Sequence, residues 1–593
     1  MSHTFHIPVL GLGYSIDTPL KVARYGISST MSIVDDELIE RMRQYHAQQN
    51  GEAATPIFKN DEDARAARIT AYLNLVERLI SKQFEVLKSL PFEPGNDLCR
   101  YFELLPEASR LRQGYELMLE YPEGPGKTLF QDRLKAEMAP GAIDVNIMSK
   151  VDKMNYTAAG DPSGELNTDA LAALRGFALS NLNSSVIMSA GLNPKLYSYL
   201  ESFPDFYPDT QGIVRKKVIL KVSDFRSAII QAKFLAKKGI WVSEFRIESG
   251  LNCGGHAFAT EGFLLGPILE EFKQKRQEMA ADLFQSYQHA LTDKGSNCAS
   301  VPEQRLSVQG GIGTAAENVF LLDHYRVNTT GWGSPFLLVP EVTNVDQDTL
   351  QELENAVQED YYVSGASPLG ILFNNFKKST AEAQRLKRLE LNRPGSPCTK
   401  KYLCTNTEFT ERPICTASRE YQNLKLKQIA AAGLSEAEYQ QAYQTVVEKI
   451  CLCEGLCAST YIKYDILKPR ENKAVAICPG PNLAYFSRSY SLEEMVRHIY
   501  GTTDLLDKIK RPHMFIKELN LYIEYLQKDL QSQLQELTDK KRKQLNKFKT
   551  QLEEGIEYYQ KLFSESASQT SKQVKDWIND LSHSARLLQG IEI

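Results

Sequence analysis

Residues able to do chemistry gather at three places along this chain. The first is a pair of glycine-rich turns. Gly310-Gly311-Ile312-Gly313-Thr314 ends an apolar run, a helix-forming segment from Ala315 to Tyr325 follows, and Gly331-Trp332-Gly333-Ser334 leads into Phe336-Leu337-Leu338. Glycine puts no Cβ between an anion and the backbone. Backbone N–H groups at a helix N-terminus then make a seat for phosphate. The plainer reading is a turn that lets chain segments pack closely, so the motif counts only in its structural context.

The second place is His256, directly after Gly254-Gly255 at the end of a strand-like run. Histidine titrates near neutrality and moves a proton in either direction. A histidine that only hydrogen-bonds within its loop is the alternative. The third is a set of seven of the chain's ten cysteines: Cys398, Cys404, Cys415, Cys451, Cys453, Cys457 and Cys478. Thiolates are the ligands that zinc and iron–sulfur clusters prefer. The set contains no Cys-x2-Cys pair and matches no standard cluster spacing, and buried thiols packing as small hydrophobes are the competing reading. A nucleotide-binding P-loop is excluded at Gly124-Pro125-Gly126-Lys127-Thr128, because Tyr121 stands where its first glycine belongs and no strand precedes it.

The elements that must position these residues alternate in type. Pro8 to Gly13 reads as a short buried strand. Asp17 or Thr18 caps a helix with Pro19 in its first turn, and Gly26 stops it. Ile27 to Val34 is strand-like, and the charged helix from Asp35 to Tyr45 completes a β-α-β unit. From 48 to 139 the strand rhythm gives way to helical apolar spacing, which predicts a helical insertion over one end of the sheet. Strands resume at Ala142 to Met148, Ser185 to Gly191, Lys217 to Val222 and Trp241 to Glu248, with helical segments between them. The two strands that end in the glycine turns bring the total to eight. The expected fold is therefore α/β, a closed (β/α)8 TIM barrel. In such a barrel the two glycine turns follow the last two strands, where phosphate is held, and His256 lies just past the sixth, where active sites sit.

At 593 residues the chain is too long for one ordinary domain. A net charge of −5 gives no nucleic-acid footprint. No apolar run reaches membrane-spanning length and the N-terminus lacks a secretory pattern, so the cytoplasm is the expected compartment and the cysteines are read as thiols or metal ligands. The division expected is a barrel over 1–47 and 140–345, the helical insertion over 48–139, a cysteine-bearing helical region over 346–510 and an amphipathic helical arm over 511–593. In the arm, Leu519, Ile523, Leu526, Leu530 and their successors recur at three- and four-residue steps. Such an arm packs on the barrel or joins two copies into a homo-oligomer.

Over roughly 7–345 this pattern resembles the nitronate monooxygenase family of FMN-dependent barrels, formerly 2-nitropropane dioxygenases, which is related to trans-acting enoyl reductases. Gly254-Gly255-His256 is similar to that family's Glu-Ala-Gly-Gly-His, with Asn252-Cys253 standing in place of Glu-Ala. The resemblance implies an FMN-dependent oxidoreductase acting on a small or acyl-chain carbon acid. It makes His256 the general acid–base, puts Asn146 and Lys221 at the flavin ring, and gives Lys221 a second catalytic candidacy. The backbone at Leu12, Gly13 and Tyr14 would pack on the isoalloxazine, Gly254 and Gly255 would lie beside it, and Gly310, Gly311, Ile312, Gly333 and Ser334 would hold the phosphate. Two branches follow. A monooxygenase would oxidise a nitronate-like substrate with O2, and an enoyl-reductase-like enzyme would need NAD(P)H. Readings from other classes are a flavin-free barrel isomerase gripping a phosphorylated substrate, and a non-enzymatic barrel scaffold assembled through its arm.

Overall fold

The computed structural model describes residues 2–149, 151–156, 160–189, 191–252, 261–506, 510–532, 537–565 and 571–593. Eight parallel strands close into a barrel in sequence order: β1 (Phe5–Ile7), β2 (Ser28–Ser32), β3 (Ile143–Ile147), β4 (Ser184–Met188), β5 (Lys216–Val222), β6 (Val242–Glu248), β7 (Arg305–Gln309) and β8 (Thr329–Gly331). Closure comes from β1 against β8, with Phe5 opposite Thr330 and His6 opposite Gly331. The helices after successive strands are α1 (Thr18–Val22), α2 (Asp36–Gln49), then an insertion of α3 (Ala64–Ser89), α4 (Asp97–Glu103), α5 (Arg110–Glu120) and α6 (Pro125–Glu137). They continue with α7 (Asp169–Ala178), α8 (Pro194–Tyr199), α9 (Phe225–Ala236), α10 (Leu265–Asp293) and α11 (Ala315–His324). The fold is a (β/α)8 barrel with a helical insertion after its second strand.

Local chemistry explains most boundaries. Asp35, Asp224 and Thr314 cap α2, α9 and α11 through side-chain bonds to backbone N–H groups. Gly26 ends the first helical segment at φ +78°, a left-handed turn that costs glycine nothing. Two details differ from expectation. β1 lies before Pro8 and not after it, because proline has no N–H for the ladder, so pairing stops at Ile7 and the next residues form a loop over the barrel mouth. Asp17 does not cap α1. It is fully buried and serves Lys21, His46, Asn344 and Tyr464 instead.

The lumen is polar. Inward positions alternate along each strand, and the layer one step below the mouth is a paired charge cluster. Arg246 donates to Glu244 at 2.9 Å, Asp144 at 3.1 Å and the Thr30 hydroxyl at 3.4 Å, while Ser307 donates to Glu244 at 2.5 Å. Buried charges persist where they are paired and hydrogen-bonded. This plug fills the lumen below the mouth.

Beyond β8 the chain is mainly helical: α12 (Gln347–Glu354), α13 (Thr380–Glu390), α14 (Arg419–Ala430), α15 (Glu436–Val447), α16 (Leu452–Lys463), α17 (Leu492–Tyr500), α18 (Met514–Gln531), α19 (Asp539–Glu565) and α20 (Ser571–Gln589). An antiparallel pair, β9 (Tyr361–Ser364) and β10 (Phe373–Phe376), interrupts it. The extension folds back over the mouth. Gly13 N–H donates to Leu456 O of α16 at 3.1 Å, and α18 and α19 pack on α10. Among the described residues no helix is long and apolar enough to cross a membrane.

Candidate functional site

A cavity of about 130 Å³ lies between the mouth and the extension. Its floor comes from the ends of β1 to β6, where inward side chains rise above the charge plug: Ser32, Asn146, Lys221 and Glu248. Its roof is largely apolar, with Phe373, Leu452, Leu456 and Cys478. Lys221 Nζ pairs with Glu248 Oε1 at 2.8 Å. The same carboxylate oxygen accepts from Asn252 Nδ2 and Gln309 Nε2, each at 2.6 Å. Asn146 Oδ1 is buried and, among the described residues, has no hydrogen-bond partner. Buried acceptors are nearly always satisfied, so an orphan on a cavity wall marks a place for a ligand donor.

Of the expected residues, Leu12, Asn146 and Lys221 line this cavity. Gly13 and Tyr14 face the extension instead. A Cβ on Gly13 would stand 2.4 Å from Thr460 Oγ1, and the Tyr14 hydroxyl donates to Ala476 O at 2.7 Å. Gly254, Gly255 and His256 lie outside the described residues. Described residues before and after them, Ser249, Gly250 and Leu265, are tied to one carboxylate, Glu518 of α18. It accepts from Ser249 Oγ at 2.7 Å and Leu265 N–H at 2.8 Å, with Gly250 N–H at 3.4 Å. Burial pushes the Glu518 carboxyl up to about 7, against the opposing pull of these bonds. Glu248, Gln309 and Glu518 were not among the expected site residues. Glu248 was findable, since it ends a strand that points at the mouth. Glu518 sits in an amphipathic run, and no local signal marks it.

The glycine turns are filled by the chain itself. Gly310 and Gly311 take φ values of +106° and +79°, and a Cβ on Gly311 would stand 2.6 Å from Leu251 Cδ1, so these glycines serve close packing against the loop after β6. Gly313 N–H donates to Glu317 Oε2 at 2.9 Å. Arg511 and Met514 N–H donate to Glu317 Oε1 at 2.7 and 2.8 Å. Arg511 also reaches Gly311 O at 2.5 Å, Asn482 Nδ2 reaches Ile312 O at 2.8 Å, and Gly480 N–H donates to Ser334 Oγ at 3.0 Å. None of Gly310, Gly311, Ile312, Gly333 and Ser334 lines the mouth cavity. Leu12, Asn146 and Lys221 thus share one cavity wall, while the turns expected to hold a phosphate are filled by the chain's own groups.

The cysteines do not form the expected metal centre. Among the described residues no group of three or more histidines, cysteines or carboxylates is placed to hold a metal ion. Cys398 and Cys404 approach to 3.7 Å, Cys453 and Cys478 line the cavity, and the Cys457 thiol donates to Asp35 at 3.2 Å. Cys404 and Cys415 pack within the core, and Cys451 is partly buried against it. Burial pushes Cys451 up to about 12 and Cys453 and Cys457 well above the usual thiol range, so they stay protonated and pack as hydrophobes.

The sequence matches no protein-family model and no curated protein. Among solved structures it is similar to the enoyl reductase domain of MlnA from the macrolactin biosynthesis cluster of Bacillus amyloliquefaciens, at 15% identity and a TM-score of 0.32, covering 69% of this chain and 87% of that one. A mutant FabK from Thermotoga maritima is similar at 10% identity and a TM-score of 0.29, covering 63% and 77%. At such distance neither likeness carries an argument about function.

Proposed function

We propose that the chain is a flavin-using oxidoreductase whose reaction takes place in the mouth cavity, on a small or acyl-chain carbon acid. One observation carries the reading. Asn146, whose Oδ1 has no partner among the described residues, shares the polar floor of the cavity with the Lys221–Glu248 pair, under an apolar roof. That combination suits a flat ring with an N–H edge, such as an isoalloxazine. The chain's own contribution is proton chemistry. Lys221 and Glu248 form one hydrogen-bonded proton-bearing unit, and His256, four residues past Asn252, is the proposed general acid–base. The filled anion seat weighs against an isomerase that would grip a phosphorylated substrate there.

The test is spectroscopic. Purified protein should be yellow, or turn yellow on adding riboflavin or FMN. Anaerobic NADPH should then bleach the bound flavin if the enzyme follows the enoyl-reductase branch. It should leave the flavin oxidised if the enzyme follows the nitronate branch, in which the carbon acid itself reduces it. Protein that stays colourless with both flavins overturns the proposal.

A further inference from the structure

We infer that Glu317 closes the anion seat after β7 to phosphate, so that the mouth selects its ligand without a phosphate anchor. The inference rests on the proposed flavin use and makes it specific: riboflavin should serve as well as FMN.

Three observations converge on Glu317, and each concerns a different requirement for phosphate binding. Donors at this turn are committed. Gly313 N–H, Met514 N–H and Arg511 all point at the Glu317 carboxylate, which is 3% exposed, and the N–H of Glu317 donates to Thr314 Oγ1 at 3.2 Å. The charge is wrong. Burial works to raise the Glu317 carboxyl, but Arg511 beside it overrides this and holds it below the usual carboxylate range. A phosphate brought to this turn would therefore meet a buried anion, in surroundings that screen like charges poorly. The remaining face is also lined by acceptors, since Gly311, Ile312 and Gly313 present carbonyl oxygens to Arg511, Asn482 and His498. Finally, the space is taken, because a Cβ on Gly313 would stand 2.7 Å from Arg511 Nε. Arg511 cannot simply swing away to greet a phosphate, because that would leave Glu317 buried and unpaired. Glu317 thus holds in cis the position that a cofactor phosphate takes at a helix N-terminus.

The experiment measures riboflavin and FMN binding to the full chain by fluorescence quenching, and the melting temperature with and without millimolar inorganic phosphate. Dissociation constants within about threefold of each other, and a melting temperature indifferent to phosphate, are expected. FMN tighter than riboflavin by about 30-fold or more, the scale of a charge-assisted anchor, overturns the inference and leaves the flavin reading standing. Phosphate that raises the melting temperature of the unmodified chain also overturns it. If neither flavin binds, the flavin reading falls, and the phosphate arm alone decides whether the seat is closed. Glu317→Gln keeps the side-chain shape, removes the charge and frees Arg511, so phosphate should stabilise this variant and not the parent. Should the variant not fold, the measurements on the parent decide.

Discussion

The half-buried Asn146, whose Oδ1 is shielded from solvent, and the buried Glu518 are both polar residues near the mouth, and they behave oppositely. Among the described residues Asn146 Oδ1 has no hydrogen-bond partner, so this acceptor contributes nothing to holding the fold together. Replacing a buried orphan by an apolar side chain of similar size is neutral or stabilising. Asn146→Leu should therefore leave the melting temperature unchanged or raise it by up to a few degrees, while flavin binding weakens about tenfold. A melting temperature that drops by several degrees would make Asn146 structural. Glu518 is 2% exposed and keeps its proton up to about pH 7. Between about 4.5 and 7 the unfolded chain releases that proton and the folded one retains it. Folding is then linked to proton uptake, and stability falls as pH rises through this window, by roughly 3 kcal/mol at most. Glu518→Gln cannot ionise, so its stability relative to the parent should improve from pH 5 to pH 8. Thermal melts across that range check it, and parallel curves for the two proteins would refute the raised carboxyl.

The elements divide by how local their causes are. β3 to β7 match the expected strands closely because each sets apolar residues, which face the surrounding helices, among the polar residues that fill the lumen, in a short run bounded by turn residues. β1 was displaced by one proline, a local effect that the apolar run hid. The β9–β10 hairpin was not legible, since Tyr361–Ser364 and Phe373–Phe376 are only four residues each and are held by what they cover. The site shows the same split. Lys221 and Asn146 could be placed from strand position, whereas the filling of the glycine turns depends on Arg511, some 200 residues downstream of Gly311. Gly13 offers a test of the contact between loop and helix that replaced the expected ring contact. Gly13→Val would drive a branched side chain into Thr460 and the backbone of Leu456 on α16. Overpacking of this kind costs about 1–3 kcal/mol, so the melting temperature should fall by several degrees. An unchanged melting temperature would mean that α16 does not rest on this loop.

At the scale of the whole molecule, barrel and extension share their most costly groups. Glu317 in the barrel is paired by Arg511, Gly13 and Tyr14 bond to α16 and Ala476, Asn344 bonds to Ser459, and the roof of the mouth cavity belongs wholly to the extension. A chain ending at residue 345 would keep all eight strands but leave Glu317 buried without its cation and open the apolar surface around the mouth. Uncompensated buried charge costs about 3–5 kcal/mol, a large part of the stability of a typical domain. The truncated chain should therefore melt without a sharp transition and bind the apolar dye ANS, whereas the full chain should melt cooperatively. A truncated barrel that melts sharply at the temperature of the full chain would show the barrel to be self-sufficient. The functional corollary is strict. Since the floor of the cavity is barrel and its roof is extension, ligand binding should vanish together with cooperativity on truncation. It should not survive in the barrel alone, as it would if the glycine turns still carried a phosphate anchor.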